Sequence, residues 1–191
     1  MAKTDTRAKI ADVASRLFAK KGFGQTSTRD ICKAAGISHG MLHYYFHDKE
    51  TLLYQIMHKN LDEALERVRE IIKSSKALKK KLEDVTAIYT RYMVVETDKM
   101  KVYLLEQRSL KPTHKKNLIK KEREFLHIVV DILDALKKQG KTIKEDSKAC
   151  AFAYFWMVHG TYTWYDPKGT ITPEKLAQIF NRIFTRGIYL K

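Results

Sequence analysis

The chain has 191 residues, with 37 Lys and Arg against 22 Asp and Glu and a formal net charge of +15. No run of eighteen apolar residues exists, which excludes a membrane-spanning helix, and the polar stretch Met1 to Lys9 lacks an apolar signal core. The two cysteines, Cys32 and Cys150, are too far apart for a disulfide framework or a zinc spacing and suit a reducing cytoplasm, while the positive balance points to nucleic acid.

Only three prolines interrupt the chain, so long helices are expected. The spacing predicts a first helix from about Asp5 to Lys21, with Ile10, Val13, Ala14, Leu17 and Phe18 as its buried stripe. Ser27 is a good N-cap for a second helix, and Asp30 three residues later completes a capping box. Ile31, Ala34 and Ala35 form its small apolar face, and Gly36 supplies the left-handed residue that stops it. Ser38 caps a third, short helix from His39 to Tyr45. Leu42 and Phe46 point inward there, leaving His39, Gly40, Met41, His43 and Tyr44 facing out. Asp48 caps the fourth helix, and Lys49 sits beside backbone N–H groups that suit a phosphate. A helix-turn-helix needs these parts in this order to place one helix in a major groove. Met41 suits a thymine methyl, and His or Tyr suits base edges and phosphates. The expected DNA-contacting set is Ser27, Thr28, Arg29, Ser38, His39, Gly40, Met41, His43, Tyr44, Tyr45 and Lys49. His39, His43 and His47 share a metal-ligand spacing, but nothing completes the site, so no metal is expected.

The fourth helix continues to about Ser75 along Leu52, Leu53, Ile56, Leu61, Leu65, Val68 and Ile72, and would join the DNA-reading part to the rest. Helices follow over about Lys79–Asp98, Met100–Leu110 and Pro112–Gln139, the last ending at Gly140. A further one over about Glu145–Tyr165 is apolar nearly all round between Ala149 and Val158. Asp166 to Gly169 reads as a turn, and Thr172 caps a final helix with Pro173 at its first position. The class is all-α with about nine helices, divided into a DNA-binding domain over 1–48 and a ligand-binding and dimerisation domain over 49–191. There is no Gly-rich phosphate loop, G-x-S-x-G, H-E-x-x-H or Cys cluster, so the chain does not read as an enzyme.

The motif resembles the TetR family of transcriptional repressors. Leu17, Phe18, Gly22 and Phe23 match the end of the family's first helix. Thr26, Ser27, Ile31, Ala35, Gly36, Ile37, Ser38, Gly40, Leu42, Tyr45, Phe46, Lys49, Glu50 and Leu52 match its "T-T-x-x-x-I-A-x-x-A-G-V-S-x-G-x-L-Y-x-Y-F-x-x-K-E-x-L" run. His43 stands in place of the usual Tyr, and Cys32 in place of the usual Ala. The resemblance implies a cytoplasmic homodimer that binds a palindromic operator and is released by a small-molecule effector. It implies that the last two helices pair with those of a second copy, through Phe152, Trp164, Leu176, Phe180, Ile183 and Phe184.

The segments Glu106–Leu110, Arg123 with Phe125, Thr163–Gly169 and Thr172–Glu174 are similar to TetR-type regulators of lipid and sterol breakdown, whose effectors are acyl-CoA thioesters. The pocket would then be lined by Tyr89, Tyr92, Met93, Arg108, Lys111, Arg123, Phe125, Phe155, Trp156, His159 and Tyr162, with no other cofactor. Beyond residue 60 the chain still carries a net +10, which suits the phosphates of CoA or simply a lysine-rich solvated face. Two alternatives stand beside this: a repressor answering another apolar or aromatic compound, as in efflux control, and a ligand-free architectural DNA-binding protein.

Overall fold

The computed structural model describes residues 3–95, 97–142, 144–166 and 168–188, with side chains from residue 6 onward apart from those of 97 and 162. Among the described residues there are nine α-helices and no β-strand. They are α1 (Lys3–Lys21), α2 (Thr28–Ala35), α3 (His39–Tyr45), α4 (Lys49–Lys73), α5 (Leu78–Val95), α6 (Thr97–Glu106), α7 (Pro112–Lys138), α8 (Ser147–His159) and α9 (Pro173–Ile188). None is long and apolar enough to cross a membrane.

Packing divides the chain into two compact units, and not by a single cut after residue 48. The first holds residues 1–60 and 98–119, and the second 61–97 and 120–191. The divisions fall inside α4 and α7, so α6 and the start of α7 belong with the helix-turn-helix.

In the first unit the local chemistry sets the helix ends. The Ser27 hydroxyl accepts from Asp30 N–H at 3.1 Å, and the Asp30 carboxylate accepts from Ser27 N–H at 2.9 Å. Gly36 adopts φ 67°, where a side chain would be strained, and its N–H returns to the carbonyls at the end of α2. Ser38 accepts from Met41 N–H at 3.1 Å and starts α3. Asp48 accepts from Thr51 N–H at 2.6 Å and starts α4. Ile10, Ala14, Phe18, Ile31, Ala35, Leu42, Phe46, Leu52 and Leu53 are all buried.

The second unit packs α5 against α9 and α8 around Val68, Leu82, Val85, Phe125, Val129, Leu133, Leu136, Ala151 and Val158. Tyr154 is fully buried, and its hydroxyl donates to the Thr86 carbonyl at 2.6 Å while touching the Thr90 hydroxyl at 2.5 Å. α8 stops at His159 instead of running on to Tyr165. Thr161 and Thr163 turn their hydroxyls back onto the Val158 and Gly160 carbonyls, both at 2.7 Å, and tighten residues 160–163 into a 3₁₀ turn. Its start is Ser147, because the Asp146 carboxylate accepts from Ala149 N–H at 2.7 Å. Pro167 of the expected turn lies outside the described residues.

Replacing Tyr154 by Phe removes the donor to Thr86 while keeping the ring. It should lower stability by about 1 kcal/mol, against about 3–5 kcal/mol for Tyr154→Ala, whose cavity the neighbours cannot fill. Urea unfolding followed by far-UV circular dichroism checks the difference.

Candidate functional site

The expected DNA-contacting residues come together in the first unit. Ser27, Arg29, Ser38, His39, Gly40, Met41, His43 and Tyr44 are exposed, and Thr28 and Tyr45 are half-buried. Leu42 and Phe46 anchor α3 from beneath, so the opposite face of a seven-residue helix is open. That face is polar and aromatic. His39 Nε2 meets the Thr28 hydroxyl at 3.0 Å, the His39 and His43 rings lie 4.7 Å apart, and Tyr44 packs edge-on to Tyr45. The hydroxyls of Ser27 and Ser38 are already engaged as caps. Lys33 and His47 also face solvent here. Lys33 stands four residues after Arg29, a helical spacing that could have drawn it into the set.

Lys49 corrects the sequence reading. Its amine does not extend toward a phosphate. It donates to the Phe23 and Thr26 carbonyls, both at 2.8 Å, and lies 4.2 Å from the centre of the Phe23 ring. Burial lowers its pKa, and the nearby Glu106 carboxylate opposes that shift. Glu106 in turn accepts from Phe23 N–H at 3.0 Å and from the Ser109 hydroxyl at 3.1 Å. Lys49 and Glu106 thus hold the turn between α1 and α2 through its backbone.

A second polar clamp joins the start of α4 to the start of α7. The Lys111 amine donates to Asp48 at 2.7 Å, Lys111 N–H donates to Glu50 at 2.8 Å, and His114 Nδ1 meets the same Glu50 carboxylate at 2.9 Å. The His114 ring stacks flat on Tyr54 with centroids 3.9 Å apart. The Lys111 hydrogen bond holds the Asp48 carboxyl well below the usual carboxylate range. Lys111 is therefore spent on this clamp and does not serve as a free phosphate contact. These partners are about sixty residues apart in the chain, and no local pattern signals them.

The expected ligand set divides. Arg108 and Lys111 lie in the first unit, whereas Tyr89, Tyr92, Met93, Arg123, Phe125, Phe155, Trp156 and His159 lie in the second. The side chain of Tyr162 lies outside the described residues. Tyr89, Phe125 and Phe155 form a ring cluster with centroids 4.8–5.8 Å apart, and the Tyr89 hydroxyl pairs with His159 Nε2. Burial pushes the Tyr89 phenol up and the His159 imidazole down, with Glu122 opposing the latter. Met93 is buried, and Arg123 is exposed on α7. Trp156 departs from the expected set. It is 71% exposed on the outer face of α8 and lines no interior space.

The expected interface set also divides. Leu176, Phe180 and Phe184 are 2%, 7% and 8% exposed, because they form the face of α9 turned to α5 and α8. They are core of one chain. Phe152, Trp164 and Ile183 are 42%, 57% and 57% exposed, and Trp156 joins them. Ala149, Phe152, Ala153 and Trp156 make a continuous outward apolar stripe along α8.

Capped α2, glycine turn and exposed α3 define a helix-turn-helix DNA-binding regulator. Two family models match the chain: "Bacterial regulatory proteins, tetR family" over residues 10–56 and "Tetracyclin repressor-like, C-terminal domain" over residues 75–188. The HTH-type transcriptional repressor KstR2 of Rhodococcus jostii is 27% identical over 199 aligned residues, covering 97% of this chain and 92% of that protein. The fatty acid metabolism regulator protein of Bacillus subtilis is 26% identical over 131 residues, covering 69% and 66%. The crystal structure of AibR in complex with isovaleryl coenzyme A and operator DNA shares the fold at TM-score 0.81 and 21% identity, covering 94% of this chain and 98% of that one. The chain belongs to the TetR family of bacterial regulatory proteins. It is a DNA-binding transcription regulator and not an enzyme.

Lys49→Met should destabilise the first unit by about 1–3 kcal/mol by leaving two carbonyls without their donor. It should leave the slope of log affinity against log salt for duplex DNA unchanged, since no phosphate contact is lost. Melting curves and a salt titration of the same variant check both halves.

Proposed function

We propose that the protein is a cytoplasmic homodimeric repressor that binds a near-palindromic operator through α3 and is released by an acyl-CoA effector, controlling genes of lipid metabolism. The exposed face of α3 carries the reading. A helix of seven residues with His39, Met41, His43 and Tyr44 turned outward needs a partner surface, and a major groove offers donors, acceptors and thymine methyls at that scale. A two-fold dimer would set two such helices on successive grooves.

The dimer reading rests on the outward stripe of α8 with Trp164 and Ile183. Four large apolar side chains grouped around the last two helices are costly to leave in water. Changing Phe152 and Ile183 to Glu together should give a folded monomer in size-exclusion chromatography with light scattering. A stable dimer from that variant would place the interface elsewhere. Phe180→Glu, by contrast, should unfold the chain, because its ring is core.

The effector reading rests on the ring cluster of Tyr89, Phe125 and Phe155 and on the names of two similar proteins, a fatty acid metabolism regulator and a structure holding isovaleryl coenzyme A. The cluster suits an acyl chain, and exposed Arg123 on α7 suits a CoA phosphate. A long-chain acyl-CoA should bind at least tenfold tighter than its free acid and release DNA. Each methylene that becomes buried should add about 0.8 kcal/mol, so affinity should rise with chain length. Arg123→Ala should narrow the gap between ester and acid. Titration calorimetry decides, and equal binding of the two would remove CoA from the account. Tyr44→Ala should weaken a selected duplex by about 1–3 kcal/mol with folding and dimerisation intact, read by fluorescence anisotropy.

A further inference from the structure

His43 lies in the last turn of α3, and its ring is exposed. Its Nδ1 sits 2.9 Å from the backbone carbonyl of His47. A carbonyl oxygen only accepts, so Nδ1 must carry the hydrogen. The tautomer of this imidazole is thereby set by the backbone just past the helix end. In the neutral ring Nε2 is then a lone-pair acceptor, and it has no partner among the described residues. His39, one turn earlier, differs. Its Nε2 faces the Thr28 hydroxyl at 3.0 Å, a group that both donates and accepts, so its tautomer is free to follow the ligand.

Resting on the reading that α3 enters a major groove, we propose that His43 is a specificity-determining residue. It reads an exocyclic amine, adenine N6 or cytosine N4, and rejects the acceptor edges of guanine and thymine. The chemistry is one of polarity. In the major groove adenine N6 and cytosine N4 donate, whereas guanine N7 and O6 and thymine O4 accept. An acceptor fixed at Nε2 bonds the first pair and meets lone pairs with the second. A ring free to change tautomer would serve both.

The test begins with duplexes selected by the wild-type protein, at pH 8, from a library with a randomised centre. Affinities for the selected duplex and for its single base-pair replacements are then measured for wild type, His43→Ala and His43→Gln. At one position in each half-site, wild type should favour adenine or cytosine on the contacted strand on the order of tenfold over guanine or thymine. His43→Ala should flatten that position and leave the others unchanged. His43→Gln, whose amide both donates and accepts, should accept guanine there as well. Nitrogen-15 shifts of the imidazole should show Nδ1 protonated and Nε2 bare. A position flattened by His43→Ala that favours guanine or thymine in wild type overturns the proposal. So does the absence of any flattened position, or an Nε2–H tautomer. A wild-type protein that selects no sequence at all overturns the operator reading itself.

Discussion

A seven-residue helix has almost no stability of its own in water. α3 is such a helix, and it carries the face proposed to meet DNA. Its orientation therefore has to come from everything around it. Ser38 closes its first turn, and Leu42 and Phe46 bury its underside. The backbone leading into α2 is pinned by Lys49 and Glu106, and the α4 start that follows α3 is pinned by Lys111 and His114. Charged side chains here act as carpentry, spending their hydrogen bonds on backbone, on an opposite charge and, for Glu106, on the Ser109 hydroxyl.

That use of charge changes how the +15 balance is read. A surplus of cations suggests many phosphate contacts, yet Lys49, expected at the DNA, and Lys111, expected at the effector, are committed inside the first unit. The cations left facing out beside α3 are fewer and include Arg29 and Lys33. Sequence discrimination would then rest on the side chains of α3 itself, the imidazoles, the Tyr44 phenol and the Met41 thioether. Charge would supply general attraction, and the helix face the choice of site.

The parts legible in the sequence are those whose physics is local. The capping box of Ser27 and Asp30, the positive φ of Gly36, the Ser38 cap and the inward pair Leu42 and Phe46 involve residues at most four apart, so spacing alone reveals them. Three things were not legible. The long-range partners of Lys49, Glu106, Lys111 and His114 lie 23 to 83 residues away, and nothing in their own neighbourhood marks them. The stripe of Leu176, Phe180 and Phe184 has the period of a packed face, but periodicity does not say whether the cover is the same chain or a second copy. Here it is the same chain, and the outward apolar residues occupy other faces of α8 and α9. Trp156 was misplaced for the same reason, since a helix apolar all round gives no phase from which to read which ring points inward.

The central claim is that the face of α3, held by polar clamps, is the surface that meets DNA. Hydrogen–deuterium exchange of the whole protein, with and without a duplex that it has selected, tests this most directly. The account predicts that slowed exchange concentrates in residues 27–49, with the strongest protection in the amides of His39 to Tyr45. Protection confined to the lysine-rich length of α7, with α3 unchanged, would contradict it.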